Sequence, residues 1–136
     1  MTDETDFEET TRDIRVTVRA FFLDDQSDPA QTHYVWAYRV RIENLGRRRV
    51  RLLKRTWLIT DGMGRTQRVH GEGVVGETPV LPPGGAFEYT SGTPLPTPSG
   101  FMRGLYHMVD LDSTEPFDVA IPAFSLDSPH QPGGVH

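Results

Sequence analysis

The run Gly71-x-Gly73-x-x-Gly76 carries the letters of the dinucleotide fingerprint, with Arg68 and His70 just before it. In a nucleotide-binding domain such glycines lie between a parallel strand and a helix, whose first N–H groups and dipole hold a pyrophosphate. Here Val74-Val75 and Pro79-Val80-Leu81 follow with no helical periodicity, so a Rossmann reading fails its context. Two readings of the run remain. Its successive N–H groups could converge as an anion nest for a nucleotide or pyrophosphate, with Arg65, Arg68 and His70 supplying charge. Alternatively, the glycines mark a bulge or tight bend, and Glu72 and Glu77 would repel an anion.

A second candidate is basic. Residues 39–68 hold ten Lys and Arg against Glu43 and Asp61, a net +8 in a chain whose overall charge is −5. The densest part, Arg47-Arg48-Arg49-x-Arg51, follows a turn and precedes an extended run. Such cations can be a solvated edge that discourages aggregation. They can also be an electrostatic footprint for an acidic protein, helped by Lys54, Arg55, Arg65 and Arg68 if these share a sheet face. Nucleic acid is the less favoured partner, because both ends of the chain are acidic and no motif that reads bases is present. A third candidate is the proline-rich stretch Thr93–Gly100, where Thr97 and Ser99 would sit on a rigid loop able to contact a partner.

Other chemistries find little footing. Five histidines at positions 33, 70, 107, 130 and 136 include no His-x-x-x-His pair and there is no cysteine, so no metal and no other cofactor is expected. Asp110-x-Asp112-x-x-Glu115 is an unspecific carboxylate cluster of the kind magnesium uses. No Gly-x-Ser-x-Gly elbow or His-Glu-x-x-His motif occurs, and the chain is expected not to be an enzyme.

The elements that must position these residues read as strands. Ile14, Val16, Val18 and Ala20 alternate with Arg15, Thr17 and Arg19, the period of two of a half-buried strand ending near Phe22. From His33 to Asn44, Tyr34, Trp36, Tyr38, Val40 and Ile42 form one aromatic and β-branched face. Val50 to Thr60 is a further extended run whose phase slips at Leu52-Leu53, which predicts a bulge or sheet switch there. Asp61-Gly62-Met63-Gly64 predicts a hairpin returning through Thr66 to Val69, and Phe87 to Ser91, Phe101 to Val109 and Phe117 to Ile121 complete the set. Pro94, Pro96 and Pro98 predict a loop across residues 93–100. The expected core is Val16, Val18, Trp36, Tyr38, Val40, Trp57, Ile59, Phe87, Tyr89, Tyr106, Val119 and Ile121.

With 136 residues, 13 Gly and 11 Pro, the chain fits one all-β domain: a two-layer sandwich of seven to eight antiparallel strands. Residues 1–13 hold six acids against Arg12 and predict a mobile arm, while residues 127–136, rich in Pro and Gly, predict a disordered tail. No apolar run of the roughly 18 residues needed to span a bilayer is present, and the first residues lack the features of a signal peptide. No membrane association is therefore expected, and the expected compartment is the cytoplasm.

Several segments together resemble the ApaG family. They are His33-Tyr34-Val35-Trp36-Ala37-Tyr38, Ile42-Glu43-Asn44-Leu45-Gly46, Trp57-Leu58-Ile59-Thr60-Asp61, and Gly71-Glu72-Gly73-Val74-Val75-Gly76-Glu77. The likeness continues through Pro79-Val80-Leu81, Phe87-Glu88-Tyr89-Thr90-Ser91-Gly92, Thr97-Pro98-Ser99-Gly100 and Met108-Val109-Asp110, and ends at Ile121-Pro122-Ala123-Phe124-Ser125-Leu126. It covers residues 14–126, in order. The resemblance implies a fibronectin type III or immunoglobulin-like sandwich. It also implies an association with cobalt tolerance and magnesium efflux, and an interaction role akin to that of related domains in F-box adaptors. The expected function is thus a non-catalytic domain that contacts a protein partner. A nucleotide- or pyrophosphate-binding domain using the Gly71–Gly76 loop is the alternative.

Overall fold

The strongest alternating stretch, Tyr34–Asn44, forms an 11-residue strand whose even-numbered side chains, from Tyr34 to Asn44, are all buried. The computed structural model describes residues 6–131. Its strands are β1 (Phe7–Thr11), β2 (Ile14–Phe22), β3 (Tyr34–Asn44), β4 (Val50–Asp61), β5 (Thr66–Glu72), β6 (Val80–Leu81), β7 (Ala86–Leu95), β8 (Gly100–Asp110) and β9 (Pro116–Leu126). Two short 3-10 turns, Asp24–Gln26 and Pro29–Gln31, link β2 to β3. One sheet has the order β1-β2-β3-β7 and the other β5-β4-β8-β9, with β6 pairing β4; every pairing is antiparallel. This is the expected sandwich. No helix among the described residues is long and apolar enough to cross a membrane.

The core sits between the sheets. Ten of the twelve side chains expected there are buried, and Ile59 and Phe87 pack half-buried against them. Aromatic rings bridge the layers, with Tyr38 of β3 5.4 Å edge-on from Trp57 of β4, and Phe124 of β9 5.8 and 6.0 Å from the two. Such pairs prefer edge or tilted contact because ring edges are positive and faces negative. Deeper in, the hydroxyls of Tyr89 and Tyr106 bond at 2.5 Å, which satisfies two buried polar groups at once. Burial raises the pKa of both phenols.

Three expectations are corrected. The acidic arm expected over residues 1–13 is a paired strand from Phe7 to Thr11, with Phe7 opposite Val18 and tilted against Phe124. An acidic strand with one large apolar side chain is held here by its ladder, by that ring contact and by the Ala120 N–H of β9, which donates to Thr11 Oγ1 (3.2 Å); residues 1–5 lie outside the described ones. Next, β7 continues through Thr93, Pro94 and Leu95, opposite Trp36, Val35 and Tyr34. Proline is tolerated because β7 is an edge strand, so one side of its backbone needs no partner. Finally, the start of the expected tail is anchored. The Trp36 indole donates to the Asp127 carbonyl (2.8 Å), Ser128 Oγ donates to the Pro98 carbonyl (2.6 Å), and His130 packs on Phe22 and Tyr34. Residues 132–136 of that tail lie outside the described ones.

Candidate functional site

Strand alternation gives each sheet an outer face, and the two differ in how their charges are used. On the β1-β2-β3-β7 face, Arg15 bonds Glu43 (2.5 Å), Arg41 bonds Glu43 (3.0 Å) and Glu88 (2.6 Å), and Arg19 bonds Asp6 (2.7 Å). Arg15, Arg19 and Arg41 are thus matched by carboxylates, while Arg39 has no ion-pair partner among the described residues and lies over the Phe21 ring, 5.5 Å from its centre. The Arg15 guanidinium, helped by Arg41, holds the Glu43 carboxyl below its usual range despite partial burial.

The outer face of β5-β4-β8-β9 is different. Arg68 of β5 and Arg103 of β8 both stand opposite Leu58 of β4, one on each side, and both are exposed. Neither has an ion-pair partner among the described residues. Beside this row Leu105 is 38% exposed and Phe101 43%, both large for apolar side chains on a sheet. Cations and apolar groups therefore interleave on one open surface.

Next to that row runs a polar chain across four strands. Thr56 Oγ1 lies 2.7 Å from His70 Nδ1 and 2.8 Å from His107 Nε2, while His107 Nδ1 lies 2.8 Å from Asp118 Oδ1. A proton on His107 Nδ1 directed at the carboxylate leaves Nε2 to accept from Thr56, whose oxygen then accepts from His70. Hydroxyl, imidazole and carboxylate in this order resemble a hydrolytic triad. However, Thr56 lies in mid-strand with β5 on one side and β8 on the other, so its backbone N–H is spent in the ladder and does not face an oxyanion. The chain braces the sheet face. Sequence spacing gave no signal for it, because positions 56, 70, 107 and 118 meet only once the register of four strands is set.

The glycine run is a backbone turn wrapped round a guanidinium. Gly71 lies inside β5, opposite Arg55, whose Nη1 donates to the carbonyls of Glu72 (2.9 Å) and Gly73 (2.8 Å). Val74 and Glu77 exchange backbone hydrogen bonds, and φ is +43° at Val75 and +82° at Gly76, so Val74–Glu77 is a type I′ hairpin turn. The Gly73 N–H donates to the Leu53 carbonyl (2.7 Å). The N–H groups of Gly73, Val74 and Glu77 are thus spent on protein carbonyls, and the loop turns carbonyls toward its nearest cation. Arg68 and His70 point away from it, onto the outer face, since they pair with Leu58 and Thr56 while Arg55 and Trp57 face inward.

The basic segment divides as well. Arg48 sits 3.5 Å from Asp110 and Arg49 3.2 Å from Asp112, while Arg51 bonds the carbonyl and hydroxyl of Thr78 at 3.0 and 2.8 Å. Arg47 lines, with Arg48, Asn44 and Asp110, a cavity of about 230 Å³ at this end of the sandwich. Thr97 and Ser99 lie at the opposite end, where Thr97 Oγ1 accepts from the Gly62 N–H and donates to the Ser99 carbonyl. The six residues therefore do not form one surface. Of the other cations, Lys54 and Arg68 share the outer face, Arg55 turns inward and Arg65 stays near Asp61 at the hairpin. The carboxylates of the Asp110 cluster diverge: Asp110 accepts from the N–H groups of Asp112 and Ser113, Asp112 pairs with Arg49, and Glu115 pairs with Arg12.

The same architecture occurs in solved structures. A putative ApaA protein from Bordetella pertussis is 50% identical, with a TM-score of 0.83 over 88% of this chain and 96% of its own. The C-terminal domain of wzt, at 10% identity and a TM-score of 0.50, shares the fold alone. Protein ApaG of Paramagnetospirillum magneticum is 66% identical over 92% of this chain and 95% of its own length. Protein ApaG of Rhodospirillum centenum is 64% identical over 91% and 95%. Residues 24–110, most of both sheets, match the family model for the ApaG domain, and with that match the chain belongs to the ApaG family.

Proposed function

We propose that this ApaG-family chain is a non-catalytic interaction domain of the cytoplasm, and that it contacts a protein partner through the outer face of β5-β4-β8-β9. The observation that carries this reading is the contrast between the faces. One matches Arg15, Arg19 and Arg41 with Glu43, Glu88 and Asp6 and lays Arg39 over the Phe21 ring, whereas the other leaves Arg68 and Arg103 without carboxylates beside exposed Phe101 and Leu105. Exposed apolar side chains rimmed by polar ones mark contact surfaces, and arginine is enriched at the centres of interfaces. The family's association with cobalt tolerance and magnesium efflux would then act through the partner.

The test is affinity capture with three baits: the natural chain, a Leu58→Ser/Leu105→Ser variant, and an Arg47→Ala/Arg48→Ala/Arg49→Ala variant. The reading expects a partner retained by the first and third and lost by the second. Retention by all three, or by none, would remove the face from consideration.

A further inference from the structure

We infer that the partner presents an extended acidic segment carrying a large apolar side chain between two carboxylates, seated across the Arg68–Leu58–Arg103 row. The inference rests on the interaction reading above and adds the chemistry of what docks. Arg68 and Arg103 flank Leu58 on neighbouring strands, so their Cα atoms stand two strand spacings apart, about 9.6 Å. An extended segment turns every second side chain to the same side, about 6.8 Å apart, so residues i and i+4 span about 13.6 Å. The long guanidinium arms cover the difference. Carboxylates at i and i+4 meet the two forks, and the side chain at i+2 lies over Leu58, diagonal to Leu105 and Phe101, which flank Arg103 on β8.

Charge selects this occupant. Lys54 adds a cation to the same face, while its carboxylates, Glu72 and Asp118, stand on the edge strands β5 and β9, and Asp118 is taken by His107. The apolar side chains distinguish a peptide from a bare polyanion, which would gain nothing from Phe101 and Leu105. Thr56, His70 and His107, tied to one another, give the bed a fixed shape, so little ordering is needed when a segment arrives.

The probe is a displayed library of random nine-residue peptides, selected on the natural chain and counter-selected on an Arg68→Glu/Arg103→Glu variant. Arg68 and Arg103 are both exposed, so the variant is expected to fold, and unchanged circular dichroism and thermal midpoint check this. The expected winners place Asp or Glu two residues to either side of Phe, Leu or Trp. As a synthetic peptide, a winner should lose at least about tenfold in affinity for the double-Glu variant and weaken steeply between 50 and 300 mM salt. Exchanging its acids for lysines should restore binding to that variant. Winners that hold the same face without acids would overturn this inference and leave the interaction reading standing. If no peptide perturbs the resonances of Leu58, Arg68 or Leu105, both fall. A single-stranded oligonucleotide binding that face more tightly than any winner would overturn the peptide in favour of a polyanion.

Discussion

Tyr106 is fully buried, and its hydroxyl is hydrogen-bonded to that of Tyr89. Replacing Tyr89 by Phe strands that group in an apolar interior and should lower unfolding free energy by about 1–3 kcal/mol. The double change Tyr89→Phe/Tyr106→Phe removes both polar groups and should recover part of the loss, as urea titration of the two variants would measure. Glu43 makes the complementary case at the surface. Its folded-state pKa is depressed by Arg15 first and then Arg41, so its contribution is present above the unfolded value, about 4.3, and fades as pH falls through the folded one. The natural chain should thus be more stable than Glu43→Gln near neutral pH, and the gap in thermal midpoints should narrow progressively as pH falls below the unfolded value.

Single elements show where alternation suffices as a guide and where it does not. The slip at Leu52-Leu53 appears as the register shift between Leu52 and Lys54 in the β4–β8 pairing, with Leu53 the extra residue: Leu52 is fully buried while Leu53 is 37% exposed. Pro94 misleads because its cost depends on strand order, and only the assembled sheet puts β7 at an edge. β1 escapes notice because its ladder with β2 outweighs its acidic composition. The glycine run is instructive in another way. Its letters suit phosphate chemistry, yet Gly73 is required by packing: a Cβ there would stand 2.3 Å from the Glu77 carbonyl, at φ +62°. Gly73→Ala should therefore destabilise by more than the roughly 1–2 kcal/mol of a left-handed conformation alone. Gly76→Asn, in open space at an I′ position that Asn tolerates, should cost far less. Thermal melts of the two variants would separate these outcomes.

At the level of the whole molecule, the net +8 of residues 39–68 does not survive folding as one patch. Strand direction sends Arg39 and Arg41 to one face, Arg47 to Arg51 to one end, Arg55 inward, and Lys54 and Arg68 to the other face. Sequence neighbours are thereby separated, while Arg103, outside the window, joins the set. Fold class could be read from periodicity because alternation is local; the candidate site could not, because it is assembled from three strands. The segment after β9 closes the molecule in another way. It leaves one sheet and reaches the other, where the Asp127 carbonyl takes the indole proton of Trp36. That bond makes the tryptophan an intrinsic optical gauge of closure: removing residues 127–136 should shift the fluorescence maximum of Trp36, leaving Trp57 as an internal reference in a Trp36→Phe control.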